Sequence, residues 1–363
     1  MRLARLAVTA TAVAGALAFT GSAVAAFTPK LSVPAPSAAG ANVRVSVGAT
    51  DDPTARFVLY APNGTTGSFT AAPGSSLGKV TAHAQAADLG GAVLPLTGDV
   101  LVANPVDPAI VAASNACDPV AHATILVLSL QAAGQVLNIP LFVDASAGPE
   151  AGFSSFKLIV CLPPPDLPAG TPGRATFGAK LLDADFTISA LVAPTAAGEQ
   201  RWRSVWTPYV PQQGTANAAG AVEAQAVVRN PTLLQIAGQT KAVKKKVKVK
   251  GKLVTKTTTK VTIFAALTEA AKGVGGVKVT FLESLRPNSG FHTVAAFKTE
   301  SDGIVGITGT LVKTAYFKAV ATLPDRELGA AGCAATFAPV PCTSATVAGR
   351  ALESKVIKLT VRR

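Results

Sequence analysis

Residues 241–260 read KAVKKKVKVKGKLVTKTTTK, and nine of these twenty are lysine. The even positions Lys244, Lys246, Lys248, Lys250 and Lys252 are all lysine, while Val243, Val247, Val249 and Leu253 fall on odd ones. A period of two belongs to a β-strand, with charge on one face and apolar side chains on the other. The run also divides the chain electrostatically. Residues 27–240 carry ten basic and thirteen acidic side chains, whereas residues 241–363 carry twenty-one basic and seven acidic. The pattern predicts a strand over 247–253 that opens a basic second domain, with 236–246 as a lysine-rich junction.

The same alternation extends outward in both directions. Short β-branched runs recur, broken by Gly, Pro, Asn and Asp, and long amphipathic helical patterns are absent. The expected class is all-β, and the length favours two β-sandwich domains over one. The first, 27–235, is expected to place strands near 43–48, 56–60, 78–84, 93–102, 122–130, 135–143, 155–161, 174–192, 201–206 and 221–229. Pro163-Pro164-Pro165 is stiff extended chain and reads as a crossover between sheets.

Residues 1–26 have the build of a signal peptide: Arg2 and Arg5, an apolar stretch from Leu6 to Phe19, then Ala23-Val24-Ala25 as a cleavage signal. No later stretch is apolar over the length that spans a bilayer as a helix. The expectation is a secreted, extracellular or surface-associated protein that does not cross the membrane. Cysteine usage agrees with export. Cys117 and Cys161 fall in the first proposed domain and Cys333 and Cys342 in the second, so two disulfides within domains are expected.

After the lysine run the apolar positions are regular. Val261, Ile263, Ala265 and Leu267 share a face, as do Val277, Val279 and Phe281, then Val305, Ile307 and Leu311. Phe317, Ala319 and Ala321 follow, and Ile357, Leu359 and Val361 close the series. With 247–254 and 292–299 these make about seven strands, the size of an immunoglobulin-like sandwich, domain 247–363. The segments GVKVTFLES (276–284) and FHTVAAFKTESDGIVGITGTLVKTAYFKAVA (291–321) carry Thr299, Asp302, Gly303, Thr314 and Tyr316 at characteristic places. In this they resemble the bacterial Ig-like and carboxypeptidase-regulatory-like modules of secreted proteins. The resemblance covers about a third of the chain and implies a sandwich serving as spacer, adhesion unit or binding accessory, with no catalytic residues. The segment 324–346 departs from such a module.

Chemistry is sparse. His83, His122 and His292 stand far apart in sequence, no G-x-S-x-G elbow accompanies them, and no phosphate loop or dinucleotide fingerprint occurs. Asp183 and Asp185 place two carboxylates on one strand face, which suits calcium or glycosidic chemistry as well as a plain solvated face. No catalytic residue, metal ligand or cofactor is assigned. Trp202, Trp206 and Tyr209 form the aromatic candidate: four residues apart on a strand, the two indoles share a face, as a sugar-stacking platform or as packing. The lysines at 244–252 suit an anionic cell-surface polymer or polysaccharide, or else keep a strand edge solvated and unpaired. Without aromatic residues among them, specific nucleic-acid binding is not expected. The functional expectation is a secreted, non-enzymatic structural or binding protein. A carbohydrate-binding accessory protein and a secreted hydrolase are the alternatives.

Overall fold

A computed structural model of the chain describes residues 27–34, 40–132, 134–329, 340 and 342–361. The expected leader and Cys333, hence the Cys333–Cys342 pair, lie outside the described residues. The described chain is almost entirely β. Strands β1 (Lys30–Ser32), β2 (Ala41–Ser46), β3 (Thr54–Pro62), β4 (Thr66–Gly67), β5 (Ser76–Ala86) and β6 (Ala92–Val102) precede helix α1 (Pro108–Cys117). Then come β7 (Thr124–Ala132), β8 (Gln135–Ala145), β9 (Ser154–Cys161), β10 (Ala179–Ile188), β11 (Leu191–Val192), β12 (Gly198–Pro208) and β13 (Val222–Asn230). The remainder holds β14 (Thr232–Val249), β15 (Lys252–Glu269), β16 (Lys272–Gly273), β17 (Lys278–Ser284), β18 (His292–Lys298) and β19 (Ile304–Leu311). It ends with β20 (Ala315–Leu323), β21 (Arg326–Glu327), β22 (Cys342–Val347), β23 (Arg350–Glu353) and β24 (Ile357–Leu359).

Thirteen strands form one large sheet in the order β1-β2-β10-β5-β6-β7-β8-β9-β3-β12-β13-β22-β21. The sheet curls until β1 lies beside β13 and β22, and Lys30 reaches Glu327 at 3.7 Å. The inward side chains of its strands meet in one cluster, from Leu31 and Val43 through Val80, Leu126, Leu141 and Leu158 to Val228. Each expected strand of this part is present; the stretch 174–192 resolves into β10 and the short β11.

Helix α1 was not expected, although its start is written in the sequence. The Asp107 carboxylate accepts from the Ala109 amide at 2.8 Å, and Pro108 occupies the first turn. Such a cap stabilises by about 1 kcal/mol. Ile110 packs on Ala103 and Val127 outside the sheet. The last helical residue, Cys117, is disulfide-bonded to Cys161 on β9, with Cα atoms 5.7 Å apart. Closing a loop of 44 positions stabilises by about 4 kcal/mol on the chain-entropy view.

The second cluster lies between two smaller sheets. One joins β14, β15 and β19 with β16, and the other joins β18, β17 and β20 with β23 and β24. Ile263, Ala265, Leu267, Val279, Phe281, Phe317, Ala319, Ala321 and Leu359 fill the space between them. These are the apolar positions the alternation picks out. Gly303 takes φ 80° in the turn that carries the chain from one sheet to the other, and Asp302 accepts from the Ile304 amide at 2.9 Å.

Three expectations about organisation are corrected. Apart from the short β4 and β11, the strands of 27–235 that precede β14 belong to one continuous sheet and not to a sandwich of two, and β9 and β10 both lie in it, so Pro163-Pro164-Pro165 is no crossover between sheets. The segment 236–246 is no linker, because β14 runs unbroken through it. The third concerns residues 324–329 and 342–349, which follow β20 and belong with the large sheet. There β22 adds parallel to β13, and β21 adds antiparallel to β22. The chain then re-enters the smaller sheets as β23. Glu269, 5% exposed at this junction, accepts from Arg326 at 2.8 Å and faces Arg229 at 3.8 Å. Arg229 also meets Glu199 at 3.2 Å. Burial would raise the Glu199 carboxyl, but hydrogen bonding and charge from Arg201 and Arg229 hold it below its ordinary value.

Candidate polyanion-binding arm

The lysine run is both arms of one long hairpin. Strand β14 pairs with β15 in unbroken register from Thr232↔Glu269 to Val249↔Lys252. Lys250 and Gly251 form the two-residue turn between them, with φ 49° and 79°. Both central residues are left-handed, the conformation of a type I′ turn, which glycine adopts freely. The turn explains why a single strand over 247–253 does not form: the pattern of even lysines continues straight through a reversal of direction.

Only the base of this hairpin belongs to the smaller sheets. Strand β19 supports β15 from Ala266 to Thr259 and no further. Beyond that point, the seven rungs from Val243↔Thr258 to Val249↔Lys252 are, among the described residues, paired only with each other. At about 3.4 Å per residue this is a projection of about 24 Å. The sequence states where support ends. On the core-facing side of β14, Leu234, Ile236, Gly238, Thr240 and Ala242 give way to Lys244, Lys246 and Lys248. Charge replaces apolar side chains where there is nothing to pack against.

Register then distributes the lysines. Lys244, Lys246 and Lys248 lie on one face, opposite Thr257, Thr255 and Leu253. Lys241 and Lys245 lie on the other, opposite Lys260 and Lys256, and Lys252 joins them opposite Val249. Lys250 stands at the turn. The expected flat strip of Lys244, Lys246, Lys248, Lys250 and Lys252 is therefore corrected to a ribbon charged on both faces and at its end. With no acidic residue in 241–260, the seven lysines of the arm, and Lys241 and Lys260 at its root, have no partner of opposite sign within the run. Lysine presents a hydrated point charge on a flexible stem, suited to anions met at many angles. The arm contains no arginine, whose fork serves bidentate recognition.

The aromatic candidates occupy a different place. Trp202 and Trp206 are both 0% exposed, inside the cluster of the large sheet. Trp206 stacks on Phe57 with ring centroids 4.8 Å apart and donates from Nε1 to Ser204 Oγ at 2.7 Å. Tyr209 is 8% exposed and donates to the Leu162 carbonyl at 2.6 Å. Burial, with the nearby Asp166 charge, pushes its hydroxyl up to about 12. The sugar-stacking platform is thereby corrected: the even positions of β12 face inward, and indoles with no exposed surface cannot stack on a ligand.

Two of the histidines meet carboxylates, each on its own part of the large sheet. His122, with 1% side-chain exposure, lies 2.9 Å from Asp144 through Nδ1 and 3.1 Å from the Asp118 carbonyl through Nε2, so both nitrogens are occupied. His83 meets Asp183 at 2.8 Å on the exposed face. Asp185 is held by Arg44 at 2.9 Å, so the Asp183/Asp185 pair is spent on side chains of neighbouring strands. Among the described residues no three His, Cys, Asp or Glu side chains converge as a metal site, and no helix is long and apolar enough to cross a membrane.

A groove at the base of the hairpin was not expected from the sequence. A groove of about 850 Å³ follows β14 near its base, lined by Leu233, Leu234, Ile236, Phe264, Ile304 and Leu352. Phe264 and Ile304 stand on the solvent side of their strands at 45% and 42% exposure. Their phase opposite to Ile263 and Val305 is the signal that marks them.

The chain matches no family model and no curated protein. A solved structure, a tetra-tandem repeat in the extending region of a large adhesion protein, is weakly similar. It has 10% identity, covers 90% of this chain and 99% of that one, and has a TM-score of 0.20. At that score it carries no argument about fold or function.

Proposed function

We propose that this chain is an extracellular, non-catalytic binding protein that holds an anionic surface polymer on its lysine arm, with an immunoglobulin-like C-terminal sandwich as the mount. The observation that carries the reading is the arm itself: seven lysines and no acid on seven unsupported rungs and their turn, with Lys241 and Lys260 at its root. A ribbon of two strands gains little stability by extending into water, so its length supports a role outside the fold. The Cys117–Cys161 disulfide suits an oxidising compartment. Many exposed lysines in one place attract polyanions and release their counterions, so binding of this kind weakens steeply with salt.

The test is retention of the full chain on immobilised polyphosphate across a sodium chloride gradient. The native chain is expected to elute late. Changing Lys244, Lys246, Lys248, Lys250 and Lys252 together to glutamine is expected to move elution to low salt without altering the thermal melt. Equal retention of that variant would refute the proposal. Loss of solubility without loss of retention would instead assign the lysines to protecting the strand edges.

A further inference from the structure

We propose that the far end of the arm seats on an anionic lipid bilayer, with Val247, Val249 and Val254 entering the headgroup interface and the surrounding lysines holding lipid phosphates. This rests on the reading of the arm as an anion-binding element and names which anionic surface it fits. The first observation is the composition of one face. Val247 lies directly opposite Val254, and Val249 is the next residue on that face of β14. Val249 and Val254 are 52% and 48% exposed. An arm serving a soluble polyanion alone has no use for a valine patch at its end. Single exposed apolar side chains are ordinary, but a patch at the tip of a projection marks an interaction surface.

The second observation is what encloses the patch. Lys245, Lys252 and Lys256 occupy neighbouring positions on the valine face, and Lys250 stands at the turn. Each has a four-carbon stem that lies along apolar surface while its ammonium reaches outward, the arrangement by which lysine snorkels to phosphates. Lys244, Lys246 and Lys248 sit on the opposite face with Thr255 and Thr257, and Leu253, 71% exposed beside the turn, is the apolar residue of that face. A valine-rich face ringed by lysine, with Leu253 beside the turn as the apolar residue of the lysine-threonine face, places the apolar side chains at the tip, the pattern of segments that lie in the interface with the apolar side about 5–10 Å deep.

The third observation limits the depth. Along seven rungs both outer edges of the ribbon lack a strand partner. Unpaired amides and carbonyls are costly in hydrocarbon, so an open ribbon cannot span a bilayer. The proposal is therefore peripheral attachment by the last few rungs. A projection of about 24 Å keeps the rest of the protein clear of the surface.

The experiment uses the full chain and three probes: vesicles of phosphatidylcholine with phosphatidylglycerol, vesicles of phosphatidylcholine alone, and soluble polyphosphate. Val247→Thr, Val249→Thr and Val254→Thr are combined in one variant, which keeps charge, β-branching and shape but adds hydroxyls. The native chain is expected to bind the anionic vesicles and not the neutral ones. The variant is expected to lose at least tenfold in vesicle affinity while its polyphosphate binding stays unchanged. A separate Val249→Trp variant is expected to add a fluorescence component that shifts to shorter wavelength on anionic vesicles. Vesicle binding by the threonine variant equal to native would overturn the proposal, as would native binding to polyphosphate but not to vesicles. Failure of the native chain on all anionic probes would overturn the polyanion reading beneath it as well.

Discussion

The two tryptophans show how one strand treats chemically identical residues differently. Both are wholly buried four positions apart on β12, yet only Trp206 has a partner for its indole N–H, the Ser204 hydroxyl at 2.7 Å. Trp202 Nε1 is buried with no hydrogen-bond partner among the described residues. Phenylalanine in place of either removes similar volume, but at position 206 it also removes a hydrogen bond, and at position 202 it removes an unsatisfied donor. A net hydrogen bond is worth about 1 kcal/mol. Trp206→Phe should therefore lower the urea-unfolding free energy by about 1–2 kcal/mol more than Trp202→Phe. Equal losses would show that the Ser204 contact contributes nothing.

Among the elements, the hairpin of β14 and β15 has two halves with different duties. The base packs Leu234, Ile263, Ala265 and Leu267 into the second cluster, while the seven outer rungs are strand-paired only with each other among the described residues. Removing residues 243–258 and joining Ala242 to Thr259 through Asn-Gly, the pair that type I′ turns prefer, should shift the melting temperature by no more than about 2 °C. A fall of ten degrees in calorimetry would show that the arm supports the fold. The sequence announced strands well because burial on one face forces a period of two. Val261, Ile263, Ala265 and Leu267 are buried as that period requires. It concealed the hairpin because Lys250-Gly251 is flanked by lysines that keep the same even numbering, so reversal left no break in the pattern. The inward direction of Trp202 and Trp206 was equally hidden: alternation says that two residues share a face, but only packing says which face is inside. Asp107-Pro108 did signal α1, but ten residues of weak amphipathicity among β-branched runs draw little notice.

For the whole molecule, the decisive fact is that two strands of its last third, β21 and β22, return to its first sheet. Strand β22 covers β13, where Glu223, Gln225 and Val227 are all 0% exposed. A chain ended at Gln235 would keep β1 to β13 but would bare that edge and the buried charge of Glu223. Exposed edges recruit other strands, and a buried carboxylate without its surroundings is costly. Such a chain should run as aggregates in size exclusion and lose the sharp cooperative melt of the full protein. A monomer with an unchanged melt would show that β21 and β22 are dispensable.

The parallel pairing of β22 with β13 also sets a timetable. A polypeptide leaves the ribosome or an export channel from its N-terminus, and units generally fold in that order. Here the large sheet gains its final strands only after residue 347 has emerged, more than a hundred residues behind β13. Until then, β13 waits with an open edge while β14 and β15, adjacent in sequence and joined by a two-residue turn, zip together early. Local pairings form before distant ones. The arm is thus complete before the large sheet is sealed, and its lysines are in place to repel neighbouring nascent chains while the edge of β13 is still open.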